Sequence, residues 1–96
     1  MRALVLVCLV ASAAPSQSRP TFNVVEATIG GVHAAFKAKT LTCRQLVQAY
    51  LDRIEAYDKQ GPGLNAIVVV NPKALAIADS LDKRYAKEGL TGPLHC

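Results

Sequence analysis

A chain of 96 residues, 51 % of them hydrophobic, holds one domain at most. Its formal charge of +4 is mild, and Lys37, Lys39, Arg44, Arg53, Lys59, Lys73, Lys83, Arg84 and Lys87 are scattered without aromatic interleaving, which argues against a nucleic-acid partner. Three cysteines are too few for a disulfide framework.

Met1 and Arg2 make a short positive start. Ala3 to Val10 is an apolar run too short to cross a bilayer as a helix, and Ala11-Ser12-Ala13 offers small residues in the A-x-A arrangement. Residues 1–13 therefore read as a secretory signal peptide, cleaved after Ala13 or a nearby small residue. The competing reading, a first helix packed in a core, suffers because no polar face appears before Ser16. Val7 stands before Cys8 where a lipoprotein signal needs a small residue, so no lipid or other stable membrane anchor is expected. The expected destination is the periplasm or the medium. Residues 14–21, with Pro15 and Pro20, form a flexible lead. Cleavage removes Cys8 and leaves Cys43 and Cys96, which could pair, although nothing in the sequence requires it.

From Val24 to Lys37 the pattern predicts a helix capped by Asn23 or Thr21, with Val25, Ile29, Val32 and Phe36 on one side. Gly30-Gly31 weakens its middle by about 1 kcal/mol per glycine. His33 beside the stripe reads as an ordinary helix residue rather than a ligand. The best-specified element runs from Leu41 to Tyr57. Leu46, Val47, Tyr50, Leu51 and Ile54 recur at three-and-four spacing, Thr42 with Gln45 fits a capping box, and Arg44, Gln48, Asp52, Arg53 and Glu55 form the solvated face. Lys59 to Gly63 (KQGPG) forces a loop.

Ile67 to Val70, bounded by Asn65 and Asn71, predicts a strand apolar on both faces, of the kind buried inside parallel sheets. Asn71-Pro72 opens a third helix with Leu75, Ala78, Leu81 and Tyr85 on its stripe, and Gly89 ends it. Three amphipathic helices around one two-sided strand leave that strand's backbone groups unpaired. The expected class is accordingly α/β, with these residues as the first part of a larger unit.

Glu26 to Ile29 (EATI), Leu41 to Asp58, Leu64 to Asp82 (LNAIVVVNPKALAIADSLD) and Gly92 to His95 (GPLH) together resemble the N-terminal region of amidase signature enzymes. The resemblance covers residues 22–96, as an incomplete amidase domain. The leader makes it look like an exported amidase rather than the tRNA-dependent amidotransferase subunit that shares the fold. It implies a large α/β hydrolase with a mixed sheet, a small-molecule amide substrate, a Ser, cis-Ser, Lys triad and neither metal nor cofactor. In that chemistry one serine attacks, a second relays the proton, and a neutral lysine is the base. The resemblance places all three beyond this chain, as though the text were cut short before them, with Cys96 where the family has glycine.

No residue here is therefore assigned a catalytic, cofactor-binding or metal-binding role. Ser12, Ser16, Ser18 and Ser80 lack a glycine- and serine-rich context, and Lys73, Lys83 and Lys87 lie on the polar side of a helix. Cys43, in the first turn of the central helix, reads as a replacement of the serine common there rather than as a reactive thiol, and His95 next to Cys96 does not make a dyad. Two functions remain. One is the N-terminal piece of an exported amide hydrolase; the other is a short secreted helical module that binds a partner without catalysis. The oligomeric state stays open.

Overall fold

The computed structural model describes residues 21–96, so the signal peptide expected over residues 1–13 lies outside the described residues, as does nearly all of the lead. Three helices follow: α1 at Ile29–Lys37, α2 at Cys43–Arg53, prolonged by a π-helical turn at Ile54–Lys59, and α3 at Ala74–Glu88. The α2 and α3 helices pack on each other and α1 closes one end. Phe36, Leu41, Cys43, Leu46 and Ala78 form the buried core, flanked by Phe22, Val32, Val47, Leu81, Tyr85 and Leu90.

The first helix is shorter than its apolar pattern suggests. Asn23 Oδ1 accepts from the Val25 amide, which makes a local turn, and Glu26 takes a positive φ of 55° that no helix continues through. Thr28 is the cap instead, its hydroxyl accepting from Gly31 N–H at 3.0 Å. Gly30 and Gly31 thus sit in the first turn rather than mid-helix, where their entropic cost would weigh most.

The capping box of α2 is present. Thr42 Oγ1 accepts from Gln45 N–H, and Gln45 Oε1 accepts from Thr42 N–H. The Gln48 side chain donates to Asp52 one turn on, at 2.8 Å. The chain then turns at Gly61, whose φ is 54° and where an added Cβ would come within 2.7 Å of the Ala56 carbonyl oxygen. Only glycine fits that approach.

The expected strand is absent among the described residues, and the described chain is mostly helical rather than α/β. Residues 64–70 run as irregular backbone, with Val68 91 % and Val69 79 % exposed. The physical reason is the one that made the strand conspicuous. A strand exists through ladder bonds to a neighbour, and no second extended segment lies among the described residues to supply them. The third helix begins two residues later than Asn71-Pro72 implied. Asn71 still organises the entry, because its Oδ1 accepts from Lys73 N–H and its carbonyl from Ala74 N–H. Leu75, Leu81 and Tyr85 are half-buried and Ala78 fully so, and Gly89, at φ 75°, ends the helix.

Candidate functional site

The N-terminus of α2 is the best-built polar site among the described residues. The first amides of any helix lack intrahelical acceptors and carry its partial positive charge. Here Asp82 of α3 supplies both missing acceptors, Oδ1 taking Cys43 N–H at 2.7 Å and Oδ2 taking Arg44 N–H at 3.0 Å. One turn earlier on α3, Asp79 pairs with the Arg44 guanidinium at 2.5 Å. The two acids of α3 thereby fix the register of α3 against α2. Cys43 is 1 % exposed and is bonded to Cys96, so the pairing that the sequence left open is made. As a disulfide, Cys43 is not the free thiol that its helix position raised as an alternative.

That bond draws the segment after Gly89 back across the core. His95 is buried, in contact with the rings of Phe36 and Tyr85 at centroid distances of 6.3 and 5.8 Å. Thr91 N–H donates to His95 Nδ1 at 3.3 Å, and Thr91 Oγ1 lies 2.9 Å from the same nitrogen. An Nδ1 that accepts leaves the ring proton on Nε2. His33 Nε2 donates to the His95 carbonyl at 3.3 Å. Beside this segment an open cleft of about 330 Å³ is lined by Ile29, Val32, His33, Leu46, Tyr50 and Leu94 among others. Its polar side chains are the two histidines, Tyr50 and Thr28, whose hydroxyl is already committed to capping α1. The arrangement holds a chain segment in place; it brings together no nucleophile and base.

A second polar centre lies at Asp58, buried just before the loop. Its Oδ1 accepts from Ala66 N–H at 2.6 Å and Ile67 N–H at 3.2 Å, while Lys59 Nζ stands 2.9 Å from Oδ2 and donates to the Ile67 carbonyl at 2.6 Å. The Lys59 ammonium holds the Asp58 carboxyl below its ordinary value near 3.8; burial opposes this, and the Ile67 and Ala66 amides add to the lowering. A depressed carboxylate contributes stability that is complete above its unfolded value and is lost as the pH falls through the folded one. The loop from Gln60 to Ile67 is therefore expected to loosen only below about pH 4. Following the Ala66 and Ile67 amide shifts by NMR from neutral to strongly acidic solution checks this. Both should titrate with a midpoint under the usual aspartate range, and Asp58→Asn should abolish the titration. A midpoint at or above that range contradicts the clamp.

Of the residues declined as catalytic, Ser12, Ser16 and Ser18 lie outside the described residues, and the others are placed as surface or local groups. Ser80 Oγ donates to the Ala76 carbonyl of its own helix at 3.2 Å, and Lys73, Lys83 and Lys87 are exposed. Among the described residues no cluster of metal-ligating side chains occurs. Two residues that organise the fold, Asp58 and Asp82, do not stand out in the sequence as site residues. Both carry a signal nonetheless, since each falls on an apolar stripe: Asp58 one turn beyond Ile54, and Asp82 one turn beyond Ala78 and next to Leu81. A carboxylate on a buried stripe requires amide or cationic partners.

No family model matches the chain, and no solved structure does. Among curated proteins, it is 41 % identical over 78 residues to a probable amidase of Arabidopsis thaliana, covering 81 % of this chain and 15 % of that protein. It is 37 % identical over 81 residues to a putative amidase of Schizosaccharomyces pombe, covering 84 % of this chain and 13 % of that one. It is also 39 % identical over 70 residues to a glutamyl-tRNA(Gln) amidotransferase subunit of Alkalilimnicola ehrlichii, covering 72 % and 14 % respectively. The matched stretch thus amounts to 13 to 15 % of the length of these relatives.

Proposed function

We propose, from the premise that this chain belongs over its matched stretch to the amidase signature family, that it serves as a helical scaffold segment of an amide hydrolase. The observation that carries this is identity of 37 to 41 % with two proteins named as amidases across four fifths of the chain. On this reading the chain's part is structural. Leu46, Ala78 and Phe36 hold three helices together, Asp82 and Asp79 set their register, and Asp58 pins the apolar run at Ile67 to Val70 to the end of α2. That run, exposed here, is the surface on which the rest of an α/β hydrolase would build its sheet. The reacting Ser, cis-Ser and Lys then come from chain other than these 96 residues, and the substrate is a small carboxylic amide.

The same reading includes export, and the Cys43–Cys96 bond supports it, because disulfides persist in oxidising compartments and are rare in the reducing cytosol. The alternative, a secreted module that binds a partner without catalysis, keeps the same scaffold and differs in lacking a catalytic continuation. An activity assay combined with transcript sequencing separates them. The 96-residue polypeptide is expected to give no turnover of a chromogenic aryl amide above the buffer rate. Turnover abolished by Ser80→Ala would overturn the scaffold assignment. Sequencing the transcript through the Cys96 codon should show the frame continuing into a lysine-bearing strand and a later glycine- and serine-rich segment. A stop codon there transfers the assignment to the partner-binding module.

A further inference from the structure

We propose that the apolar run from Ala66 to Val70 is a self-association surface, which pairs antiparallel with the same run of a second copy of this chain. Three observations carry this. First, the run is open in its backbone as well as its side chains. Val68 is 91 % and Val69 79 % exposed, and among the described residues no hydrogen bond engages the amides or carbonyls of Val68, Val69 or Val70. Unpaired donors and acceptors on an apolar segment are a template for a strand from another chain. Second, the sequence is self-complementary. Turned end for end about Val68, it sets Val68 against itself, Ile67 against Val69 and Ala66 against Val70. Every cross-strand pair is then aliphatic, and no charge meets its like. A two-fold axis demands such a patch, the same surface on both partners. Third, the run is held at both ends. Asp58 Oδ1 accepts from the Ala66 and Ile67 amides, and Asn71 closes a turn by accepting from Lys73 and Ala74. Association therefore orders little that is not already fixed.

The pairing implies a definite ladder. With Val68 on the axis as a hydrogen-bonded pair, each Val68 N–H donates to the Val68 carbonyl of the other copy, and each Val70 N–H to the other copy's Ala66 carbonyl. The Ala66 amides, which would complete that second pair, stay with Asp58. No residue from Ala66 to Val70 has a positive φ, so the extended conformation is open to all of them; the backbone bends at Val68, and pairing straightens it. Asn65, at φ 52°, and Pro72, which has no amide hydrogen, bound the ladder at its two ends. The other edge of the run does not recruit a third copy. Lys59 Nζ holds the Ile67 carbonyl there and Asp58 holds the Ile67 amide, so assembly closes at two. A run this short is small against the about 20–30 residues a side of a standard interface, so the dimer is weak and concentration-dependent. The inference does not rest on the scaffold reading, since it concerns the run as it stands uncovered among the described residues.

The test is sedimentation equilibrium on the full chain over a range of concentrations, beside Val68→Lys. The wild type is expected to rise with concentration from the mass of one chain toward that of two. Val68→Lys brings two ammonium groups together on the axis, at a side chain the single copy leaves in solvent, so it should stay single with its far-UV helical signal unchanged. Cross-linking in a Cys8→Ser background reads the register. Under mild oxidation Val68→Cys is expected to give a disulfide between the two substituted positions, identified by peptide mapping, because their Cα atoms face each other at about 5.5 Å. Val70→Cys should not, since its two copies lie roughly 13 Å apart along the ladder, beyond disulfide reach. A wild type that stays single at every concentration overturns the proposal, and so does a Val68→Lys chain that still pairs. Cross-linking at position 70 equal to that at 68 rules out the antiparallel register, and growth beyond two copies rules out the closed pair; either overturns it as well.

Discussion

Phe36→Ala is expected to dismantle the three-helix bundle. Phe36 is the largest side chain in the buried core, and its ring meets residues of α3 and of the segment beyond it. Its ring lies 5.9 Å from Tyr85 of α3 and 6.3 Å from His95 beyond it, and 6.1 Å from His33 on its own helix. Truncating a buried phenylalanine to alanine costs about 3–5 kcal/mol, transfer and cavity terms together. Natural domains are stable by only about 5–15 kcal/mol, and a chain of this size belongs at the bottom of that range. The loss is thus comparable with the whole stability. Far-UV circular dichroism against urea should show the wild-type helical signal lost in one transition and the variant largely unfolded before denaturant is added. Phe36→Leu, which retains most of the apolar volume, should keep the fold with a lower midpoint. If Phe36→Ala melts within about 1 kcal/mol of wild type, the core is not centred on this ring.

How much of this was legible in the sequence depends on whether the deciding interaction is local. The capping box at Thr42 and Gln45, the Gln48–Asp52 pair and the stop at Gly89 are contacts between near neighbours, and the sequence specifies each completely. The start of α1 is also local, yet the apolar pattern misplaces it by five residues. Asn23, Thr21 and Thr28 are all competent caps, and the choice among them rests on Glu26 adopting a positive φ, which composition does not encode. The strand at Ile67 to Val70 shows the opposite limit. Its β-branched residues suggest a covered sheet, but a ladder needs a partner strand. Without one among the described residues, the propensity has nothing to act on. The disulfide was open for a similar reason. Two cysteines 53 residues apart carry no pairing information until α2 and the final segment are placed 5.8 Å apart at Cα. The kinship with amidases was legible because order and spacing of short words survive where single residues are uninformative. It fixes the family without fixing a site.

Replacing Asp82 tests whether one long-range carboxylate sets the register of the helices. Asp82→Ala removes both acceptors from the first turn of α2, leaving the Cys43 and Arg44 amides beneath α3 without partners. Loss of an N-terminal cap costs about 1–2 kcal/mol, and the buried position of Cys43 places this case toward the upper end because water cannot easily replace the lost acceptor. Asp82→Asn is the informative companion. It keeps one carbonyl oxygen able to accept but gives up the negative charge that complements the helix terminus, an attraction of about 0.3–1 kcal/mol at a partly exposed site. Urea melts should therefore rank wild type above Asn above Ala, in separated steps. Raising the salt concentration should narrow the gap between wild type and Asn, since that difference is charge and is screened, and should leave the gap to Ala nearly intact. If Asn proves as damaging as Ala, the charge rather than the acceptor geometry governs α2. If neither variant shifts the midpoint, the capping box at Thr42 suffices alone, and Asp82 is a bystander held in place by Asp79 and Arg44.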